Sequence, residues 1–397
     1  MRKKLITILI VILAVTPMLF AGGSSEEAGA ADPVREAVAA AEGMTLEELE
    51  AAAKAEFEAA GTKFTARSVT SGMKKVLSGF QAKYDWFDYN EFSSSKDYAL
   101  YTELSTALGA GEYVCDVAML QDGSSMKSLM IDTGYMVNYV PKADIADENK
   151  DPLTALYGMK NFIWNKTEIG TGYLQNVWQL TGVDGAELEA VHQLSFQNPS
   201  GENVNMNFLI MLTSEDSCAR LAAAYESYFG KPYEAEEGYK NIGYKFVTEM
   251  LGNVSTWHSS DTTAVKNLPG LTTGQLVYAP FNKMKDYPAD YTTDLAVSGW
   301  NLKLEGFDSY LYRIWVMIPE TAKLPYTSCL LIEYLFTTEG FKNGWNSAGY
   351  YSVNPEVPVI DGDLELTEWV KTGIVEDIDY IDSVYKEAST YIRSLTV

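Results

Sequence analysis

Apolar residues recur along the chain at two alternating periods, one helical and one extended. Thr45-x-x-Glu48 has the form of a capping box, and it opens a helix whose stripe is Leu46, Leu49, Ala53 and Phe57, closed by Gly61. Lys63 to Val69 then reads as a strand, and Thr70-Ser71-Gly72 leads directly into a helix carrying Met73, Val76, Leu77 and Phe80. The same order repeats. Trp86 to Phe92 reads as a strand, and a helix from about Ser95 carries Tyr98, Tyr101, Leu104 and Leu108 up to Gly109. Val114 to Leu120 reads as the next strand, with Asp122 capping the helix after it. Strands alternating with helices predict an α/β chain with a parallel, doubly wound sheet.

The second half keeps the alternation. Phe162 to Asn165 reads as a short strand, and Ser195 to Met211 as an apolar stretch broken by Pro199-Ser200-Gly201. One helix runs from about Ser214 with Cys218, Leu221, Tyr225 and Phe229 on a face, and another carries Tyr239, Ile242, Phe246 and Met250. Val254–Trp257, Gln275–Pro280 and Tyr312–Ile318 read as strands. A helix from Pro325 to Phe336 closes on Thr337-Thr338-Glu339-Gly340, and a last helix with Ile381, Val384 and Tyr391 packs back onto the body.

The amino terminus differs in kind. Arg2-Lys3-Lys4 precede an apolar run from Leu5 to Phe20, which ends in Ala21-Gly22-Gly23. The run is shorter than the ~20 residues of a bilayer span and contains Pro17, so residues 1–21 read as an export signal cut after Ala21, with an uncleaved anchor as the alternative. No cysteine lies near the junction to carry a lipid. Residues 22–43 read as a flexible leader, since Gly22 to Asp32 has nothing to bury. A periplasmic or extracellular product follows.

Composition narrows the function classes. A length of 397 residues suggests two or three globular units. The net charge of −24 disfavours binding to nucleic acid and anionic lipid surfaces. Cys115, Cys218 and Cys329 are widely spaced, which excludes a disulfide framework, and they read as small buried residues. With His192 and His258 as the only histidines, one chain cannot build a multi-histidine metal site. GxSxG and HExxH do not occur, and Gly109-x-Gly111 lacks the third glycine of a dinucleotide loop. Neither a metal nor another cofactor is expected, and no catalytic residue is assigned. Paired carboxylates of a glycoside hydrolase stay open in so acidic a chain.

Several segments, in order, resemble the extracellular solute-binding proteins of ABC importers. After the leader and the LEELEAAAKAEFEAAG helix, Cys115-Asp116-Val117 resembles the family's "DV" strand and Tyr139-Val140-Pro141 its "YxP". Phe162 to Lys166 resembles the aromatic-x-x-N-K segment, Pro325 to Gly340 the late helix ending in Glu-Gly, and Tyr350 to Pro355 the terminal proline segment. The likeness covers most of residues 44–358 and is closest to family 1. It implies a type II periplasmic-binding-protein fold, two doubly wound lobes joined by a hinge. Lobe 1 would comprise residues 44–150 and 300–350, and lobe 2 residues 151–299 and 351–397, with crossings near 140–165 and 285–305. The implied function is capture of a small polar solute in the interlobe cleft by a monomer and delivery to a membrane permease. An exported sensor or an exported glycoside hydrolase is the alternative.

Turns at the carboxyl edge of a parallel sheet present unpaired N–H groups to a cleft. Thr70, Ser71 and Gly72 fit that place in one lobe, and Ser259, Ser260 and Asp261 in the other. Gln121 and Asp122 follow the "DV" strand to the same edge. Trp257, Tyr278 and Trp300, at strand ends or the second crossing, are aromatic candidates for stacking on a solute. Plain helix capping is the alternative for the hydroxyl and aspartate positions. Tyr98, Tyr101, Tyr225 and Tyr239 lie on helix stripes and read as core. The solute itself, whether sugar phosphate, polyamine, thiamine or ferric ion, is not named by the sequence.

Overall fold

The computed structural model describes residues 32–170, 173–182, 194–268 and 276–396. The signal, residues 22–31 of the leader, His192 and Gln275 lie outside the described residues.

In chain order, α1 is Pro33–Glu42, α2 Leu46–Ala60, β1 Ala66–Ser68, α3 Gly72–Lys83, α4 Asp97–Gly109, β2 Val117–Leu120 and α5 Gly123–Ser125. After β3 (Met136–Val137) the long β4 (Thr154–Asn165) leads through α6 (Lys166–Ile169) to β5 (Leu194–Gln197), α7 (Asn203–Met211), α8 (Glu215–Phe229) and α9 (Ile242–Gly252). Next come β6 (Val254–His258), α10 (Asp261–Asn267), β7 (Leu276–Pro280), α11 (Tyr291–Asp294), β8 (Leu295–Val297) and the second long strand, β9 (Ser309–Pro319). The chain ends with α12 (Pro325–Leu335), α13 (Thr338–Trp345), β10 (Tyr350–Ser352), α14 (Leu366–Thr372), β11 (Ile374–Val375) and α15 (Ile378–Ser394).

One mixed sheet of order β1-β2-β9-β4-β7-β5-β6 organises these elements. Two parallel wings flank a central antiparallel pair: β1 with β2 on one side, β7, β5 and β6 on the other, and β4 against β9 between them. β2 and β7 each join that pair antiparallel, through Ala118↔Met317 and Phe162↔Tyr278. The expected parallel, doubly wound order is therefore present in the wings. The centre is antiparallel because β4 and β9 serve both. The helices divide likewise: α1, α2, α3, α12 and α13 pack on one another, as do α8 with α9 and α15 with α7.

Local sequence explains the boundaries. Thr45 and Glu48 form the capping box, and Gly61 closes α2 in the left-handed region at φ 57°. Ser214, Asn241 and Thr337 cap α8, α9 and α13.

Five expectations need correction. Pro33–Glu42 of the leader is a helix that buries Val34, Val38 and Ala41. Trp86 to Phe92 forms no strand beyond a Phe64↔Tyr89 bridge; Trp86 and Phe87 instead pack on Phe57 and Phe80, an aromatic cluster that a turn serves better than alternation. Leu46 and Tyr98 are exposed, because each stands in the first turn of its helix, beyond the reach of the core. Thr337 caps a further helix, α13, rather than ending one. β4 begins eight residues before the expected strand and is buried throughout. The cysteines are free, with Cys115 and Cys329 buried and Cys218 half-buried.

Candidate functional site

Two adjoining cavities open at the carboxyl ends of the wing strands. The inner one, of 270 Å³, is lined by Thr70, Ser71, Lys160, Glu202, Asp261, Asn282, Tyr312 and Tyr350, among others. The outer one, of 750 Å³, is walled by Asp97, Tyr98, Gln197, Ser259, Ser260 and Asp261. Val69, Ser94, Gln121, Glu202, Asp261 and Lys283 border both, so the two form one cleft.

The turn after β1 divides its labour. Thr70 Oγ1 accepts the Gly72 N–H and the Trp345 indole N–H, each at 3.2 Å, which makes it a structural anchor. Ser71 is exposed and makes no capping bond, so its hydroxyl faces the cleft uncommitted to the helix. Thr70→Ala is expected to cost about 1 kcal/mol while Ser71→Ala leaves stability unchanged. Urea unfolding of the two variants checks this, and equal losses would contradict the division.

Lys160 is the electrostatic centre. It stands mid-strand on β4, only 2% exposed, and its ammonium donates to Asn205 Oδ1 at 2.7 Å and lies 3.4 Å from Asp261 Oδ2. His258 Nε2 lies 2.9 Å from Asp261 Oδ1, and Ser195 Oγ 3.0 Å from His258 Nδ1. Burial pushes the Asp261 carboxyl up, but Lys160 and His258 together overcome it and hold the carboxyl below its ordinary range. Asp97 is the opposite case. Burial raises it, Glu202 and Asp122 raise it further, and a 2.9 Å bond from Gln121 Nε2 does not compensate, so it is pushed up to about 8. Burial also raises Glu202, against the pull of Lys160 and with the push of Asp261 and Asp122.

Ser195, His258 and Asp261 form a hydrogen-bonded serine–histidine–aspartate series. A nucleophile must reach its substrate, yet Ser195 is buried in β5 and borders neither cavity. The series orients Asp261.

No protein-family profile and no curated protein matches the sequence. Solved structures do. The binding protein MotA of A. tumefaciens, solved with glucopine, aligns at a TM-score of 0.59 with 16% identity, over 85% of this chain and 100% of that one. A ferric binding protein from Campylobacter jejuni aligns at 0.62 with 11% identity, over 84% and 99%. AgtB of A. tumefaciens, solved with agropinic acid, aligns at 0.53 with 13% identity, over 84% and 99%. The chain has the type II periplasmic-binding-protein fold.

Within the periplasmic-binding-protein fold, six of the eleven residues expected from the sequence meet at the cleft: Thr70, Ser71, Gln121, Ser259, Ser260 and Asp261. Five do not border it. Gly72 is buried where α3 meets α13, and a Cβ there would stand 2.7 Å from the Trp345 ring, so its small size serves helix packing. Asp122 is buried at φ 75° and accepts from Asn203 at 2.6 Å and Asn207 at 2.9 Å, tying the end of β2 to α7 without capping α5. Tyr278 is sandwiched between Phe196 and Phe208 in the core. Trp257 stands on the edge strand β6, edge-on to Phe196, and Trp300 packs on Phe281 with its indole N–H on the Gly362 carbonyl. An aromatic residue at a strand end can turn into the core or along the edge, and sequence does not say which.

Asp97, Lys160, Glu202, Asn282, Tyr312 and Tyr350 line the cleft unforeseen. Lys160 had a visible signal: a lone charge inside the apolar run from Leu156 to Trp164, where a buried lysine requires a partner. Tyr312 lies over Gly158 of the neighbouring strand, where a Cβ would come within 2.3 Å of its ring.

Proposed function

We propose that the chain is the extracytoplasmic solute-binding component of an ABC importer, which captures a small polar solute between two lobes and hands it to a membrane permease. The observation that carries this reading is the joint cleft: the turns after β1 and β6, one from each wing, face it with hydroxyls and carboxylates. MotA and AgtB, which share the fold, were solved with solutes bound, and that supports capture rather than catalysis here. The burial of Ser195 argues the same way against a serine hydrolase.

In this reading lobe 1 comprises residues 44–150 and 300–350 and lobe 2 residues 151–299 and 351–397, with β4 and β9 as the segments that join them. The protein works as a monomer outside the cytoplasm, exported by residues 1–21, without nucleic acid, metal or cofactor. Solute touching both lobes favours the closed form, which docks on the permease.

A thermal-shift screen over sugars, sugar phosphates, amines, amino acids and ferric citrate tests it. A solute at 100 times its Kd stabilises by about 2.7 kcal/mol. Small-angle scattering should show compaction with the same solute. Turnover of a labelled oligosaccharide without saturable binding would overturn the reading in favour of the hydrolase.

A further inference from the structure

We propose that this cleft selects a solute bearing a protonated amine, which it holds between Asp97 and Glu202; the inference rests on the solute-binding reading above. Asp97 opens α4 on the β1–β2 wing, and Glu202 immediately precedes α7 on the opposite wing. Both are half-buried and both border the outer cavity.

Among the described residues neither carboxylate is in an ion pair, though Lys96, Lys160 and Lys283 stand in the same walls. Asp97 has Gln121 as a hydrogen-bond donor and is raised by Glu202 and Asp122, with Lys160 a minor counterweight. Glu202 is pulled down by Lys160 but pushed up by Asp261 and Asp122. The direct contacts of Lys160 go to Asp261 and Asn205 instead. Two half-buried carboxylates on opposite wings of one cleft, one of them raised by the other, are a place for positive charge.

An independent observation concerns hydrogen bonding. Tyr312 is only 6% exposed and lines the inner cavity, yet among the described residues its hydroxyl has no hydrogen-bond partner. Asn282, in the same wall, has a buried Oδ1 that is likewise unpartnered among the described residues. With two carboxylates, these make a wall rich in acceptors. An ammonium group offers three donors and one positive charge, matching both needs. A diol would leave the carboxylate repulsion in place, and a dianion would add to it. Among the described residues no three acidic, histidine or cysteine side chains converge as metal ligands, which favours an organic cation over a metal ion. Lys283 borders both cavities and would receive a carboxylate if the solute carried one. The shared chemistry is the amine, whether the solute is a polyamine or an amino acid.

The arrangement couples binding to closure. An ammonium on one wing's carboxylate is attracted by the other's, so the closed form gains more from it than the open form does. It also couples binding to protons. Below about pH 8 the solute-free Asp97 holds a proton that an arriving cation displaces, so affinity should rise from pH 6 to 8 and level off above.

Four probes with one carbon skeleton isolate charge: putrescine, 4-aminobutyrate, butane-1,4-diol and succinate, titrated by calorimetry against the wild type, Asp97→Asn and Glu202→Gln. The two amines should bind at least tenfold more tightly than the diol and succinate, and either variant should lose about tenfold or more for the amines. Putrescine alone would indicate a polyamine-type solute, and preference for 4-aminobutyrate an amino-acid type. Both variants relieve repulsion, so their Tm should hold or rise, which separates lost binding from lost folding. Binding and compaction with succinate or the diol in preference to the amines would overturn the amine proposal while leaving the solute-binding reading intact. Failure of both amines to bind, or unchanged amine affinity in both variants, would also overturn it.

Discussion

Lys160→Met is expected to destabilise the protein by about 3–5 kcal/mol near pH 7, with the urea midpoint as the readout. The lysine sits in the middle of the sheet, paired across to Tyr310 on β9 and Pro280 on β7, and its ammonium lies 3.4 Å from Asp261 Oδ2 while the His258 ring faces Oδ1. Methionine fills most of the volume but leaves a largely buried carboxylate with too little compensation, and Asn205 Oδ1 without its donor. The pH dependence has a definite sign. In the wild type the Asp261 carboxyl is held low, so its contribution is present above the unfolded carboxylate range and lost only as pH falls through the still lower folded value. Without Lys160 that carboxyl is raised instead, so the penalty of the variant is greatest at neutral pH and shrinks on acidification towards pH 4. Adding Asp261→Asn should restore part of the loss at pH 7, giving a coupling energy in a double-mutant cycle. Additive effects of the two changes would show that the pair is not coupled.

Gly340→Ala is the second large effect. Its added Cβ would stand 1.9 Å from the Tyr334 carbonyl oxygen and 3.2 Å from the Leu335 Cα, so the obstruction is backbone at the end of α12. The Gly340 N–H is also the one that Thr337 Oγ1 accepts at 3.0 Å, and this cap fixes how sharply α13 leaves α12. A methyl group cannot be housed there by a rotamer change, and the cost is about 3 kcal/mol, the upper part of the range for overpacking. The damage extends beyond the turn. α13 carries Trp345, whose indole anchors Thr70 and covers Gly72, so the variant should also weaken solute binding through the turn after β1. A wild-type Tm for Gly340→Ala would show that the turn opens freely.

The order of elements was largely legible because helix caps and apolar periodicity are local: Thr45 with Glu48, Ser214 and the stripe of α3 each declare themselves within a few residues. The motifs behind the family resemblance proved to be structural. The Asp116 carboxylate accepts the Thr65, Lys323 and Leu324 N–H groups, the Tyr139 hydroxyl bonds Glu333, and the Asn354 amide bonds the Phe336 carbonyl. These residues hold the fold in place and say little of the solute. The cleft was half legible. Thr70, Ser71 and Ser259 to Asp261 follow strand ends, a rule that needs only the order of elements. Asp97, Glu202 and Tyr312 come from three distant stretches, and their meeting depends on how the two wings are set around β4 and β9. The aromatic candidates failed for a related reason: Tyr278 faces the core and Trp257 the outer edge, and a strand's inward face is decided by its neighbours.

β4 and β9 are hydrogen-bonded to each other from Thr154 to Asn161, and each also carries strands of a wing. Any movement of one wing against the other would therefore be a change of twist between these central strands, not a swing about a slack loop. Twist between paired strands is adjustable, but it has a resting value. The join is thus an elastic element. In the proposed capture, closing on a solute would wind it and release would let it recoil, returning the empty protein to its open shape without any partner to pull it there.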